Sequence, residues 1–151
     1  VENMHEPHVI ELEDGTLLGA IRVHERKKAP YNTIYTTTSS DKGVTWTKPV
    51  CTGIDGLPPH LLLHSSGAIV CSYACRADGM RSERAAVSYD NGKTWSDDYC
   101  IDDRIDKQLD MGYPASVELS DGSIMTVYYQ CAPGDWYTSV LWTKWRLRDK
   151  Q

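Results

Sequence analysis

The sequence predicts an all-β protein made of repeated four-stranded antiparallel sheets, about three of them. Three observations lead there. A Pro, an apolar run and a Gly recur as PHVIELEDG (7–15), PHLLLHSSG (59–67) and PASVELSDG (114–122), with Pro7, Pro59 and Pro114 spaced 52 and 55 residues apart. Each copy is followed by two further short runs rich in Val, Ile, Thr and Tyr: TLLGAIR and NTIYTTTS (32–39), AIVCSYACR and ERAAVSY (83–89), SIMTVYYQ and YTSVLWTKW (137–145). DG, SG and NG pairs separate the runs, which is the pattern of hairpin-linked strands, and no stretch carries a helical period with caps.

Repetition at roughly 50 residues, with up to four short strands per unit, is the arrangement of β-propeller blades, whose strands a to d run outward from an axis. The expected blades cover about 6–54, 58–101 and 112–148, about three blades of a six-bladed ring. The first two units also share SSDKGVTW (Ser39 to Trp46) and SYDNGKTW (Ser88 to Trp95) at the turn from strand c to strand d. In this phrase Ser39 and Ser88 open the turn. Asp41 and Asp90 accept backbone N–H bonds within it, Gly43 and Gly92 permit a positive φ, and Trp46 and Trp95 fold back as apolar plugs. A calcium loop would need more carboxylates than one Asp per turn supplies.

Composition narrows the function classes. The 151 residues are 40% hydrophobic and 25% charged, enough for an ordinary core, and no run approaches the roughly 20 apolar residues of a spanning helix. The net charge is −5, with Lys and Arg scattered, so the basic stripe of a nucleic-acid binder is missing. Cysteines 51, 71, 75, 100 and 131 form no CxxC pair and no zinc spacing with histidine. They are expected to be small buried hydrophobes rather than a metal site or a disulfide framework. VENMHEPH at the start has no leader pattern, which leaves localisation open; a secreted or periplasmic parent protein is compatible with it.

Strand geometry separates two faces. The a–b and c–d turns share one face, so the repeated Asp-containing turns are scaffold. The starts of strand a and the ends of strand b share the other. There the chain brings Glu6-Pro7-His8, Pro58-Pro59-His60 and Asp110-Met111-Gly112-Tyr113-Pro114, with Arg22, Arg76 and, just beyond, Arg81. An acid, arginines and a tyrosine in one bowl suit an anionic ligand. Taken singly, Tyr113 reads equally as a packing residue, Arg22 and Arg76 as solvated cations, Glu6 as part of a terminus, and His8 and His60 as polar residues at a channel mouth. Their convergence on one end of the repeat is what joins them, with Asp110 beside them.

The doubled phrase resembles the Asp box, or BNR repeat, and the whole chain is similar to sialidase-like β-propellers. HEPHVIELEDGTLLGAIR resembles the segment that holds the glutamate partner of the nucleophile and one arginine of a carboxylate-binding triad. The resemblance implies these roles for Glu6 and Arg22, a second triad arginine at Arg76 or Arg81, and the nucleophilic tyrosine at Tyr113. WTKWRL resembles the last strand of bacterial relatives. The implied activity is retaining exo-glycosidase action on a terminal sialic or related acidic sugar, with no cofactor. Tyrosine suits it because a carboxylate nucleophile would be repelled by the sugar's own carboxylate.

The chain departs from that family in lacking any Arg-x-Pro motif, the first triad arginine, and the general-acid aspartate of earlier blades. Three blades do not close a ring. The expectation is therefore the C-terminal half of an active unit, completed by upstream blades; a second copy closing the ring is the other arrangement considered. Alone, the chain is expected to be inactive. The alternative function is a non-catalytic propeller binding acidic glycans or protein partners.

Overall fold

Each of the three repeats closes into its own antiparallel sheet. The computed structural model describes residues 3–24, 32–105 and 110–148, and among them it contains eleven strands and no helix. The first sheet is β1 (Met4–Glu11), β2 (Leu17–His24), β3 (Asn32–Ser39) and β4 (Val50–Cys51), in that order. The second is β5 (Leu57–Leu63), β6 (Ile69–Cys75), β7 (Ser82–Ser88) and β8 (Ser96–Asp102). The third has three strands, β9 (Gly112–Glu118), β10 (Ile124–Gln130) and β11 (Ser139–Trp145). These are partial propeller blades, as the repeat predicts.

The hairpins follow from local chemistry. In each a–b turn a Gly N–H closes onto a carbonyl three residues back: Gly15 to Leu12, Gly67 to His64 and Gly122 to Leu119, at 2.8–2.9 Å. The c–d turns are built by side chains. Ser39 Oγ donates to Asp41 Oδ1 (2.8 Å) and accepts from the Gly43 N–H (2.9 Å), while Asp41 accepts from the Thr45 N–H and hydroxyl (2.8 and 2.6 Å). Ser88, Asp90, Gly92 and Thr94 repeat the arrangement, with all four distances between 2.6 and 2.8 Å. These bonds, led by the threonine hydroxyl, hold both Asp41 and Asp90 carboxyls down at about 2.

Packing occurs between sheets rather than within them. The seam between the first and second blades buries Leu12, Leu18, Ala20 and Ile34 against Leu61, Cys71, Tyr73 and Cys75. Trp95 packs onto this seam, whereas Trp46 caps its own turn, donating Nε1–H to the Gly43 carbonyl (3.1 Å), and remains 43% exposed. The second seam buries Val70, Ala85, Val87, Tyr99 and Ile101 against Ile124 and Tyr128. Ser72, Ser116 and Thr126 join hydroxyls across it (2.6 and 2.9 Å).

The cysteine expectation needs correction at two positions. All five are free; Cys71, Cys75 and Cys131 are buried, but Cys51 and Cys100 are exposed. The reason is their place on β4 and β8, the outermost strands of their blades, where one side has no neighbouring strand.

Two acids, Glu83 and Asp102, are buried in the second seam. Glu83 is fully enclosed and neither of its oxygens finds a hydrogen bond. Its cross-strand neighbour Asp102 takes three donors: the Arg104 guanidinium (3.0 Å), the Tyr128 hydroxyl (2.6 Å) and the Gln130 amide (3.1 Å). Burial pushes the Glu83 carboxyl up to about 8; the Arg76 charge opposes the rise and the Asp102 charge adds to it.

Two stability predictions follow from these contacts. Gly92 has φ +80°, and a Cβ there would lie 2.8 Å from Leu18 Cδ2, whereas Gly43, at φ +87°, meets nothing nearer than 3.6 Å. Gly43→Ala should cost about 1–2 kcal/mol through φ alone. Gly92→Ala should cost roughly 1–3 kcal/mol more, because the fully buried Leu18 cannot yield; urea denaturation of both variants measures the difference. Glu83 keeps its proton in the folded state up to about pH 8, while the unfolded chain releases it near its ordinary value of 4.5. Its contribution to stability is therefore complete below that lower value, falls as pH rises through the window, by at most about 1.4 kcal/mol per pH unit, and levels off above the upper one. Glu83→Gln should flatten this slope and raise stability at neutral pH.

Candidate functional site

The first strands of the three blades, β1, β5 and β9, lie side by side, and each begins with the same irregularity. Register shifts fall between His5 and His8 in β1 and between Leu57 and His60 in β5. In β9 the shift falls opposite Val127 and Tyr129, which pair with Ala115 and Gly112. In every case the bulge holds a residue followed by proline: Glu6-Pro7, Pro58-Pro59 and Tyr113-Pro114. Proline has no N–H for the ladder, so pairing breaks there and the preceding side chain is re-aimed. Glu6 and Tyr113 take up φ of 49° and 52°, a left-handed backbone that costs on the order of 1–3 kcal/mol each.

The two re-aimed side chains meet. The Tyr113 hydroxyl donates to Glu6 Oε1, and Arg22 Nη1 donates to Glu6 Oε2 at 3.0 Å. Burial by itself would raise the Glu6 carboxyl, but the bonds from Tyr113 and Arg22 outweigh it and hold it below the usual carboxylate range. The bond to Glu6, first, and burial, second, raise the Tyr113 phenol above its ordinary value. The resting pair is thus a neutral phenol donating to a carboxylate. Tyr113 is half exposed, so its ring faces open space.

Arg76 approaches from the other side. Its Nε donates to the Met111 carbonyl (3.1 Å), Nη2 reaches the same oxygen, and Nη2 lies 3.5 Å from Asp110. Asp110, expected as a ligand contact, pairs with Arg76 and accepts from the Tyr129 hydroxyl at 2.8 Å. Arg81 stands apart from this cluster on the loop after β6, paired with Asp78 at 3.1 Å. Arg76 therefore shares the bowl with Tyr113 and Glu6, and Arg81 does not bond to any of them among the described residues.

His8 and His60 have a structural task. His8 Nδ1 accepts the Leu61 N–H (3.2 Å), His60 Nδ1 accepts the Ser116 N–H (3.3 Å), and the two rings lie 4.3 Å apart. Each staples one inner strand to the next. Burial lowers both; His60 falls to about 4, its burial aided by the neighbouring His8 charge. Accepting through Nδ1 places the proton of each neutral ring on Nε2.

Tyr129 was missed by sequence reasoning. Its ring stacks on Tyr113 with centroids 5.9 Å apart and planes 25° apart. A signal was present: Tyr129 follows Gly122 by the same interval that separates Arg22 from Gly15, so it holds the Arg22 position of the third repeat. Among the described residues no group of three or more His, Cys, Asp or Glu could hold a metal ion.

No protein-family model matches the chain, and no curated protein matches it. Solved structures do. A protein of unknown function from Dyadobacter fermentans aligns with 98% of the chain at a TM-score of 0.82 and 22% identity. A Hadza microbial sialidase aligns with 93% at 0.60 and 18%, and an α-L-arabinofuranosidase from Fusarium graminearum with 93% at 0.67 and 19%. At these identities the likeness is one of fold, that of propeller enzymes. The chain spans 40%, 35% and 46% of these three structures, respectively, so each of them extends well beyond it.

The Glu6–Tyr113 bond predicts a titration. Glu6→Gln removes the carboxylate that disfavours phenolate, so the Tyr113 ionisation should move down toward its ordinary value. Difference absorbance between each protein and its Tyr113→Phe counterpart isolates that one phenol.

Proposed function

We propose that this bowl is part of a retaining glycoside hydrolase site acting on a terminal acidic sugar of the sialic acid type. The observation that carries the reading is the Tyr113 hydroxyl donating to a Glu6 carboxylate that Arg22 also holds. Glu6 is placed to take the phenolic proton as the tyrosine oxygen attacks the anomeric carbon, so the nucleophile is neutral until the moment of reaction. That neutrality matters for a substrate carrying a carboxylate beside the reacting carbon, which an anionic nucleophile would repel. Arg22 and Arg76 supply the opposite charge for that carboxylate. Structural likeness to propeller glycoside hydrolases supports a glycosidase role in general.

In this reading the proton for the leaving group comes from outside the described residues. Glu6 is held as an acceptor by Tyr113 and Arg22, and Asp110 is engaged by Arg76 and Tyr129. The upstream blades of a complete ring would supply the general acid and a further arginine. The same engagement of both acids favours a second reading, a propeller that binds acidic glycans without cleaving them.

A mechanism-based fluorinated sialosyl fluoride separates the two. On the intact propeller that includes this chain, the label should appear on the peptide containing Tyr113, and Tyr113→Phe should abolish hydrolysis of a fluorogenic sialoside by at least a thousandfold while sialic acid still binds. Full turnover by Tyr113→Phe would overturn the hydrolase reading. Binding weakened by Arg22→Ala, with no hydrolysis by the unaltered protein, would establish the second. The 151-residue chain by itself should not turn over substrate.

A further inference from the structure

Arg76 has potential counterions on two sides. In front lie the Met111 carbonyl and Asp110, which now hold it. Behind lies Glu83. In the β6–β7 ladder Glu83 stands opposite Ala74, and Arg76 follows Ala74 by two residues, so the alternation of the strand carries it toward the same face. Gly112 packs over this row: a Cβ there would meet Ala74 Cβ at 3.0 Å and Arg76 Nη2 at 3.5 Å.

The surroundings of Glu83 leave it few choices. From β8 it faces Asp102, a like charge already engaged by Arg104, Tyr128 and Gln130. From β10 come Tyr128, whose hydroxyl is committed to Asp102, and Gln130, whose Oε1 is itself an unpartnered acceptor. Arg84, next along β7, belongs by alternation to the opposite face, where it lines a groove with Tyr73 and Cys75. Arg76 is the cation whose charge acts on Glu83. An ionised carboxylate buried without a partner is unfavourable, and the Arg76 side chain, 30% exposed and on a flexible stem, is the group free to answer it.

We infer that Glu83 is a positioning residue for Arg76: as a neutral acid it leaves the guanidinium on Met111 and Asp110 at the bowl, and as a carboxylate it draws the guanidinium inward. The step releases one proton from Glu83 to solvent and exchanges one ion pair, Arg76–Asp110, for another, Arg76–Glu83. Its consequence for anion binding rests on the reading of Arg76 as a carboxylate-gripping residue; the movement itself does not. The bowl would then hold an anionic sugar well in neutral conditions and release it as the medium becomes alkaline.

The test uses the full chain without ligand. The Arg76 Nε–H signal, assigned by its loss in Arg76→Lys, and the Glu83 side-chain carboxyl signal are followed by NMR from neutral pH to well above 8. Both should step once with a common midpoint, and the Arg76 step should vanish in Glu83→Gln, a variant of equal size that the unpartnered acid predicts to fold. An Arg76 signal that stays flat while Glu83 titrates would overturn the inference. So would an identical Arg76 step in Glu83→Gln, or a Glu83 that keeps its proton throughout. In a parallel arm, affinity for N-acetylneuraminic acid should fall about tenfold per pH unit above the midpoint in the unaltered protein and stay level in Glu83→Gln. No binding by either protein would count against the acidic-sugar reading and leave the NMR result to decide the inference.

Discussion

The middle sheet of this protein is apolar on both faces, so it needs a neighbour on each. The middle blade shows the constraint satisfied. Every residue of β6 is buried: Ile69, Cys71, Tyr73 and Cys75 face the first blade and Val70 the third. The same pattern on the end blades leaves Val9 and Trp46 partly exposed at one side, and Val117, Val140 and Trp142 at the other. Blade packing fixes where the inner strands lie, and the inner strands fix the bowl. The hydrogen-bonded turns at the opposite end, Ser39 to Trp46 and Ser88 to Trp95, hold the third and fourth strands of their blades together so that the faces can form.

The bowl depends on a local conflict in that regular packing. A strand must alternate its side chains, and an uninterrupted β1 or β9 would commit Glu6 and Tyr113 to the sheet faces. Proline at the next position interrupts the ladder and produces the bulge, and the left-handed backbone at Glu6 and Tyr113 turns the two side chains toward each other. The middle blade has the same bulge with Pro58 at that position, so it contributes strand geometry but no reactive group. The two strained positions lie on the inner strands that flank β5.

Two parallel chains of contact then define the electrostatics. Arg22, Glu6 and Tyr113 form one; Arg76, Asp110 and Tyr129 form the other, and the stacked rings of Tyr113 and Tyr129 join them. Each chain pairs one arginine with one carboxylate, so the charges in the bowl balance and no bare cluster of like charges forms. A steadied guanidinium loses less freedom when it meets a ligand carboxylate.

The repeat, the strand content, the turn chemistry and the division into two faces were legible from residues alone, because period-2 alternation, DG and NG turns and a recurring Pro-to-Gly frame are local properties of the chain. That Glu6, Arg22, Arg76 and Tyr113 lie at one end of the repeat was legible as well, since each adjoins the start of an inner strand or the end of a second strand. Tyr129 shares the Arg22 place in the repeat, but its stacking on Tyr113 was not legible, and an acid inside a strand, such as Glu83, announces nothing until its neighbours are known. The separation of Arg76 from Arg81 and the hydrogen bonds by which His8 and His60 link the inner strands likewise needed contacts between residues far apart in the chain. The sequence by itself determined the blades and which end of them carries the polar residues. Only the tertiary structure decided which of those residues touch, because the bulges that re-aim Glu6 and Tyr113 have their effect through the packing of one blade against the next.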